Sequence, residues 1–175
     1  MNAQNYIKLD FPSQSCNEAF ARTAAAAFAA QLDPTLEEIG DIKTAVSEAV
    51  TNCIVHAYPK EIGRISMRLR ILPDGQLEIS VRDWGCGIEN VEQAMKPLFT
   101  TGGEERGGMG FTIMDSFMDR LRVRSAPGKG TTVVLVRALR QRRKRICARS
   151  SMRRSVRLRP GTGRQPAGWW RKMRD

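Results

Sequence analysis

The sequence predicts an α+β domain, a two-layer sandwich in which helices cover one face of a mixed, mostly antiparallel sheet. Stretches of alternating apolar and polar residues come in pairs joined by short turns containing Pro and Gly, which is the pattern of β-hairpins. Two longer stretches instead repeat their apolar residues every three or four positions, which is the helical period. Hairpins with helices grouped between them indicate segregated α+β layers.

The N-terminal part of the chain predicts a strand followed by a helix. Residues 6–11 alternate apolar and polar side chains, and Pro12 with Ser13 breaks the strand. Residues 17–32 are rich in alanine and predict a helix, because apolar residues recur there at helical spacing. The residues expected to form its apolar stripe are Phe20, Ala24, Ala27 and Phe28.

A second and longer helix is predicted from about Leu36 to His56. Asp33-Pro34-Thr35 marks a stop and a restart and supplies an N-cap residue, and acidic side chains follow in the first turn. Pro59 ends the helix. The residues expected on its apolar face are Leu36, Ile39, Ile42, Ala45, Val46, Ala49, Val50, Cys53 and Ile54.

The remaining part of the core predicts two hairpins with two further helices between them. The turns are Pro73-Asp74-Gly75 and Pro127-Gly128-Lys129-Gly130. The four strands are expected at residues 64–72, 76–82, 121–125 and 132–138. The helices are expected at residues 89–95 and 111–118.

Charge divides the 175 residues into two parts. The whole chain carries 29 Lys and Arg against 18 Asp and Glu, a formal net charge of +11. Residues 1–139 hold 15 basic and 17 acidic residues, whereas residues 140–175 hold 14 basic residues and one acidic residue. We therefore expect one folded domain over residues 1–139, and the high net charge belongs to the segment that follows it.

Residues 140–175 predict a basic, disordered tail, because dense like charge cannot bury enough surface to offset the ordering entropy. Three interpretations stay open for this tail. It is a plain disordered extension, or it contacts nucleic acid or anionic lipid with help from Trp169 and Trp170, or it is a sequence accident such as a shifted reading frame.

Several classes of protein are disfavoured by composition. No apolar run approaches the roughly 20 residues that span a bilayer, and the N-terminus lacks the pattern of a signal peptide. The four cysteines are scattered without a C-x-x-C pair, which argues against a zinc site and a disulfide scaffold. These features together predict a cytoplasmic protein with no membrane partner.

Three polar residues share one face of the second predicted helix. Glu48, Asn52 and His56 follow at intervals of four, and this face differs from the apolar one. Oxygen ligands of this kind hold Mg²⁺ beside phosphates, and a neighbouring carboxylate can take a proton. The alternative is an ordinary solvated helix face, with His56 placed beside the carbonyls at the helix end.

The segment Asp83-x-Gly85-x-Gly87 directly follows a predicted strand. An Asp at a strand end can accept a hydrogen bond from a ligand amino group, and the two glycines let the backbone come close. The alternative is a tight loop containing an Asp turn.

Five glycines within residues 102–110 immediately precede the predicted helix at 111–118. Exposed N–H groups at a helix start attract phosphate, and Arg106 adds a fixed positive charge. The segment is not a Walker A loop, because the sequence G-x-x-x-x-G-K-[ST] is absent. The alternative is a flexible surface loop.

The order of these motifs resembles the GHKL ATPase superfamily, whose Bergerat fold agrees with the α+β prediction. Within it, the chain resembles the sporulation anti-sigma F factors, also called stage II sporulation protein AB. The likeness covers roughly residues 6–137 and none of the tail. The segments that carry it are residues 47–52 (SEAVTN), 56–58 (HAY), 97–101 (PLFTT), 108–114 (GMGFTIM) and 117–119 (FMD).

The resemblance implies a protein serine kinase that uses ATP and Mg²⁺. By position, Glu48 would be the general base, Asn52 would hold Mg²⁺, and Asp83 would read the adenine amino group. Gly87 and Thr131 would line the base pocket. The other nucleotide-binding residues that it implies are Arg106, Gly108 and Gly110 in a lid over the phosphates, together with Gly85, Thr100 and Thr101.

The resemblance also implies protein partners. Such a protein binds a sigma factor, keeps it from RNA polymerase, and phosphorylates an anti-anti-sigma factor, and it acts as a homodimer. Arg22 matches the partner-contacting arginine on the first helix. Two alternatives stay open: a non-catalytic, nucleotide-regulated module that binds a sigma factor, and a GHKL domain whose basic tail binds nucleic acid.

Overall fold

The computed structural model describes residues 3–96 and 109–139. The glycine-containing segment predicted to bind phosphate and the basic tail therefore lie largely outside the described residues. The boundary between a domain at 1–139 and a tail at 140–175 stays a prediction.

Five strands form one sheet in the order β1-β2-β3-β5-β4, and all four neighbouring pairs are antiparallel. This confirms the prediction of a mostly antiparallel sheet. The strands are β1 (Asn5–Pro12), β2 (Arg64–Ile71), β3 (Gln76–Asp83), β4 (Arg120–Ser125) and β5 (Thr131–Ala138). The helices are α1 (Cys16–Ala29), α2 (Leu36–Asn52), α3 (Val91–Ala94) and α4 (Gly110–Phe117).

The ends of the two long helices are wound differently from a regular α-helix. Residues 30–32 continue α1 as a 3-10 turn, and Cys53–Ala57 continues α2 as a π-helical turn. The predicted extent of the second helix is therefore confirmed, but its last turn has a wider winding. Wider turns of this kind redirect the side chains that follow, and they occur frequently at functional sites.

The core lies between the helices and one face of the sheet. Alternate residues of β2, β3 and β5 point into it and are buried, and they meet the apolar faces of α1, α2 and α4. The largest buried side chains are Ile42, Ile65, Met67, Leu69, Leu77, Ile79, Met114 and Leu135. The other face of the sheet has no helix over it within the described residues, which gives the expected two-layer arrangement.

The two predicted helical stripes are wrong at three positions. Phe20 is 56% exposed and Ala27 is also exposed, whereas the buried face of α1 runs through Ala21, Ala25, Phe28 and Ala29. An alanine-rich helix offers several stripes of similar hydrophobicity, so the period alone does not select one. Leu36 is 92% exposed because it is the first residue of α2 and lies beyond the layer that α1 covers.

A capping box fixes the start of α2. The Glu38 backbone N–H donates to Thr35 Oγ1 at 3.1 Å, and the Thr35 backbone N–H donates to Glu38 Oε2 at 2.8 Å. Two of the unpaired donors at the helix end are thereby satisfied.

No helix within residues 3–96 and 109–139 has the length and apolar character needed to cross a membrane.

Replacing Thr35 by Ala is expected to lower the free energy of unfolding by about 1 kcal/mol, because the cap is lost. Urea denaturation of the two proteins measures the difference. Thr44→Ala is the matched control, since the Thr44 hydroxyl only donates to the Gly40 carbonyl inside the same helix. Equal stability losses for the two variants would contradict a specific role for the cap.

Candidate functional site

A cavity of about 490 Å³ opens between α2, the loop after β3, α3, the start of α4 and β5. This volume lies within the range of small-molecule sites. Besides His56, six residues singled out in the sequence line it together, although they come from four separate segments of the chain. They are Glu48, Asn52, Asp83, Gly87, Gly110 and Thr131.

The other predicted site residues lie elsewhere. Gly85 sits behind the cavity wall, where its backbone packs on the end of the π-helical turn. Arg22 lies on α1 and pairs with Glu18, so it is not part of the cavity. The predicted residues Thr100, Thr101, Arg106 and Gly108 fall outside the described residues.

A buried carboxylate forms one end of the cavity. Asp83 is 2% exposed, and its Oδ1 accepts hydrogen bonds from the backbone N–H groups of Gly85 and Thr131, both at 3.0 Å. These two donors compensate the cost of burying the charge and fix the plane of the carboxylate. Its Oδ2 accepts from the Cys53 thiol at 3.6 Å and retains capacity for a further donor from a ligand.

Cys53 is a site residue that the sequence did not reveal. Burial and the neighbouring Asp83 charge raise the pKa of its thiol well above the ordinary value, so the group stays protonated and can donate. The periodicity placed Cys53 on the apolar face of the helix, where it indeed packs, and no local signal in the sequence distinguishes this role.

The cavity also contains a half-buried carboxylate on α2. Burial raises the pKa of Glu48, and the negative charge of Glu18 raises it further. Glu18 in turn accepts hydrogen bonds from the Ser47 hydroxyl and from Arg22, the latter at 3.2 Å. A carboxylate with a raised pKa is a stronger proton acceptor than an exposed one, which suits a general base.

The start of α4 lies directly against the polar face of α2. A Cβ atom at Gly110 would lie 3.1 Å from Glu48 Oε2 and 3.4 Å from the amide atoms of Asn52. Within the described residues, no side chain caps this helix start. The approach therefore brings the first backbone N–H groups of α4 and the positive end of the helix dipole beside a carboxylate and a carboxamide.

Glycines allow the loop after β3 to pack tightly. A Cβ at Gly85 would lie 2.1 Å from the Ala57 carbonyl oxygen, which also accepts a hydrogen bond from the Cys86 backbone N–H at 3.0 Å. Gly87 has a φ of +74°, which favours glycine. His56 lies in the same π-helical turn and lines the cavity together with Glu48 and Asn52.

The donors around the cavity fit a nucleotide with Mg²⁺ better than a resident metal cage. Within the described residues, no group of three or more His, Cys, Asp or Glu side chains could hold a metal ion. Mg²⁺ is usually held by one or two protein oxygens together with substrate phosphates, and the Asn52 carboxamide is such a ligand.

Comparison with known proteins agrees with this geometry. Residues 11–137 match the histidine kinase-like ATPase domain family. The chain is 64% identical over 134 residues to an anti-sigma F factor of Caldanaerobacter subterraneus subsp. tengcongensis, covering 76% of this chain and 93% of that protein. It is 54% identical over 138 residues to an anti-sigma F factor of Pasteuria penetrans, covering 78% of this chain and 92% of the relative.

A solved structure shares the fold. The RsbU and RsbW domains of a Mycobacterium tuberculosis protein superpose with a TM-score of 0.56 at 20% identity, over 78% of this chain and 32% of that one. The expected two-layer α+β fold of an ATP-binding domain is thereby confirmed.

Gly130→Ala is expected to destabilise the protein more than Gly128→Ala. Both glycines have positive φ values, +76° and +70°, so each alanine carries a backbone cost of about 1–2 kcal/mol. Only at Gly130 would the added Cβ also collide, 2.3 Å from the Asp83 carbonyl oxygen, while Gly128 faces open space. Urea denaturation of both variants measures this, and equal costs would show that the close approach to β3 contributes nothing.

Proposed function

The chain belongs to the histidine kinase-like ATPase domain family and, within it, to the anti-sigma F factors, and from this we propose that it binds a sporulation sigma factor and phosphorylates an anti-anti-sigma factor on serine. The single observation that carries the kinase half is that one cavity is lined by Asp83 together with Glu48 and Asn52. The first group suits a nucleotide base, and the other two suit its phosphates.

Asp83 is proposed to select the adenine base. Its Oδ1 is occupied by two backbone donors, so Oδ2 is the atom available to accept from an exocyclic amino group. Gly87 and Thr131 line the cavity beside it and are proposed to contact the base. A guanine presents a carbonyl oxygen at the equivalent position, so the buried carboxylate would repel it.

Asn52 is proposed to hold Mg²⁺ against the phosphates, and the α4 start at Gly110 is proposed to bind a phosphate oxygen through backbone N–H groups. Mg²⁺, when bound, supplies charge neutralisation for phosphoryl transfer. The proposed contributions of Thr100, Thr101, Arg106 and Gly108 to the same end of the site rest on the sequence alone.

Glu48 is proposed to be the general base. Its carboxylate accepts the proton of the partner's serine hydroxyl while the serine oxygen bonds to the γ-phosphorus of ATP. The bond from that phosphorus to the β-phosphate oxygen breaks, and ADP leaves. The position of Glu48 beside the uncapped α4 start and its raised pKa both support this role.

Arg22 is proposed to contact both protein partners. It lies on α1, and its side chain is only partly covered, with Glu18 holding it in place at 3.2 Å. A partly exposed arginine held in one orientation by an ion pair is the kind of anchor that protein interfaces use. A homodimer and a cytoplasmic location are part of the same proposal.

Glu48→Gln is expected to lower the rate of serine phosphorylation by about 10²–10⁴-fold while ATP binding persists, because the carboxamide cannot accept the proton. The assay combines the chain, Mg-ATP and its anti-anti-sigma partner and detects phosphoserine. Glu61→Gln, at an exposed position, is the control with the same loss of charge. Normal transfer by Glu48→Gln would remove it as the base, and nucleotide binding without any transfer by the wild type would favour the non-catalytic module.

Glu48→Gln is also expected to raise the melting temperature at pH 7. Burial and Glu18 raise the folded-state pKa of Glu48 above its ordinary value of 4.5, so the folded protein loses stability as pH rises from about 4.5 through the raised pKa, and the full cost of the ionised carboxylate is present above it. The melting temperature of Glu48→Gln should therefore exceed that of the wild type by a margin that grows as pH rises through this window, and phosphorylation activity of the wild type should fall as pH falls through the same pKa. Thermal unfolding and phosphorylation rates across pH 4–8 measure both trends, and a melting difference that is independent of pH would contradict the assignment.

Asp83→Asn is expected to weaken ATP binding by at least tenfold, since one charge-assisted hydrogen bond contributes about 1.5–3 kcal/mol. The carboxamide keeps one oxygen for the N–H groups of Gly85 and Thr131 but turns an N–H₂ donor toward Cys53 and the base. Calorimetric titration with ATP measures the affinity, and Asp74→Asn in the exposed β2–β3 turn is the control. Unchanged affinity would show that the base is read elsewhere.

A further inference from the structure

The thiol of Cys53 lies between two hydrogen-bond acceptors at the wall of the cavity. Its Sγ is 3.3 Å from the Ala49 carbonyl oxygen and 3.6 Å from Asp83 Oδ2. A thiol carries a single hydrogen, so it can donate to one of these acceptors at a time. The two arrangements differ only in the rotation of that hydrogen about the Cβ–Sγ bond.

The two acceptors do not need the thiol equally. The Ala49 carbonyl oxygen already accepts from the backbone N–H of Cys53, so it stays paired when the thiol turns away. Asp83 is 2% exposed, and both of its backbone donors bind Oδ1. A buried charged oxygen without a donor costs more than a neutral carbonyl that keeps one. In the free protein the thiol hydrogen therefore belongs on Asp83 Oδ2.

A base that donates to Oδ2 reverses this preference. The amino group of adenine is a stronger donor than a thiol, and it neutralises part of the negative potential at that oxygen. Two donors aimed at one oxygen also bring two partly positive hydrogens together. The Ala49 carbonyl oxygen, which is the nearer of the two acceptors, can then take the thiol hydrogen, and neither state leaves a buried donor or acceptor unpaired.

A thiol has the properties that such an exchange requires. It is a weak donor, so a ligand can displace it at small cost, whereas a hydroxyl would bind the carboxylate more strongly. Cys53 is only 4% exposed, and burial together with the Asp83 charge raises its pKa, which keeps the hydrogen on the sulfur.

We propose that Cys53 is a positioning residue of the adenine site: its thiol donates to Asp83 Oδ2 in the free protein and turns to the Ala49 carbonyl when the base takes that oxygen. This inference rests on the proposed function, because it requires Asp83 to read the amino group. The thiol then holds the carboxylate in place for the ligand and also competes with it, so it sets the affinity for bases that carry an amino group.

The test compares two nucleotides by calorimetric titration of the full chain with Mg²⁺ present. One is ATP, and the other is purine riboside 5′-triphosphate, which lacks the amino group. The variant is Cys53→Ala. The matched control is Cys86→Ala, which removes another thiol from the cavity wall, because Cys86 Sγ donates to the His56 carbonyl oxygen at 2.9 Å rather than to Asp83.

The wild type is expected to bind ATP more tightly than the analogue, and Cys53→Ala should widen that preference by about threefold to tenfold. The substitution removes a bond to a charged group from the free protein but only a bond to a neutral carbonyl from the ATP complex, and the former is roughly twice as strong. With the analogue the thiol stays on Asp83 in both states, so its loss cancels. Cys86→Ala should keep the wild-type preference.

Infrared difference spectra of the wild type follow the thiol directly and depend on no variant. The S–H stretching band lies at lower frequency when the acceptor is a carboxylate than when it is a neutral carbonyl, because the hydrogen bond is stronger. ATP should move the Cys53 band to higher frequency, and the analogue should leave it in place. The moving band should be missing from Cys53→Ala and present in Cys86→Ala. A cysteine with a purely structural role would show no such shift.

The outcomes separate this inference from the proposed function. A preference for ATP that Cys53→Ala leaves unchanged, or an S–H band that ATP does not move, would overturn the role of Cys53 and leave the adenine site intact. Equal binding of ATP and the analogue by the wild type would overturn the adenine site itself and this inference with it.

Discussion

The buried carboxylate of Asp83 is the constraint on which the cavity depends. A charge that is 2% exposed is tolerated only when donors satisfy it, and here they come from the loop after β3, from β5 and from the end of α2. These three hydrogen bonds, two from backbone N–H groups and one from the Cys53 thiol, therefore hold three separate parts of the chain in register. The tight packing of Gly85 on Ala57 and of Gly130 on β3 is what brings those donors within reach.

A chain of polar contacts joins the proposed partner surface to the proposed base. Arg22 pairs with Glu18, which accepts from Ser47 and raises the pKa of Glu48. A partner group that draws Arg22 away would leave Glu18 less neutralised, and a more negative Glu18 raises the Glu48 pKa further. The basicity of Glu48 and the engagement of Arg22 are therefore electrostatically linked, although the two side chains belong to different helices.

Much of the fold could be predicted from the sequence because its signals are local. The hairpin turns and the Thr35 cap specify strand and helix ends through a few residues, and these predictions are confirmed. Phe20 and Leu36 were misplaced because burial depends on what packs against a helix, which periodicity does not contain. The π-helical turn and the thiol of Cys53 beside Asp83 arise from tertiary contacts between residues 30 positions apart.

The charge of the cavity limits how nucleotide phosphates can bind. The part of its wall that the structure describes holds three carboxylates, Glu48, Asp83 and Glu89, and no Lys or Arg. A triphosphate would meet repulsion there unless positive charge is supplied. Under the proposed function, the α4 start, Mg²⁺ at Asn52 and the predicted Arg106 supply it, so affinity for ATP should depend on Mg²⁺ more steeply than in a lysine-lined site. The exposed arginines of β4, Arg120, Arg122 and Arg124, cannot substitute, because they do not line the cavity.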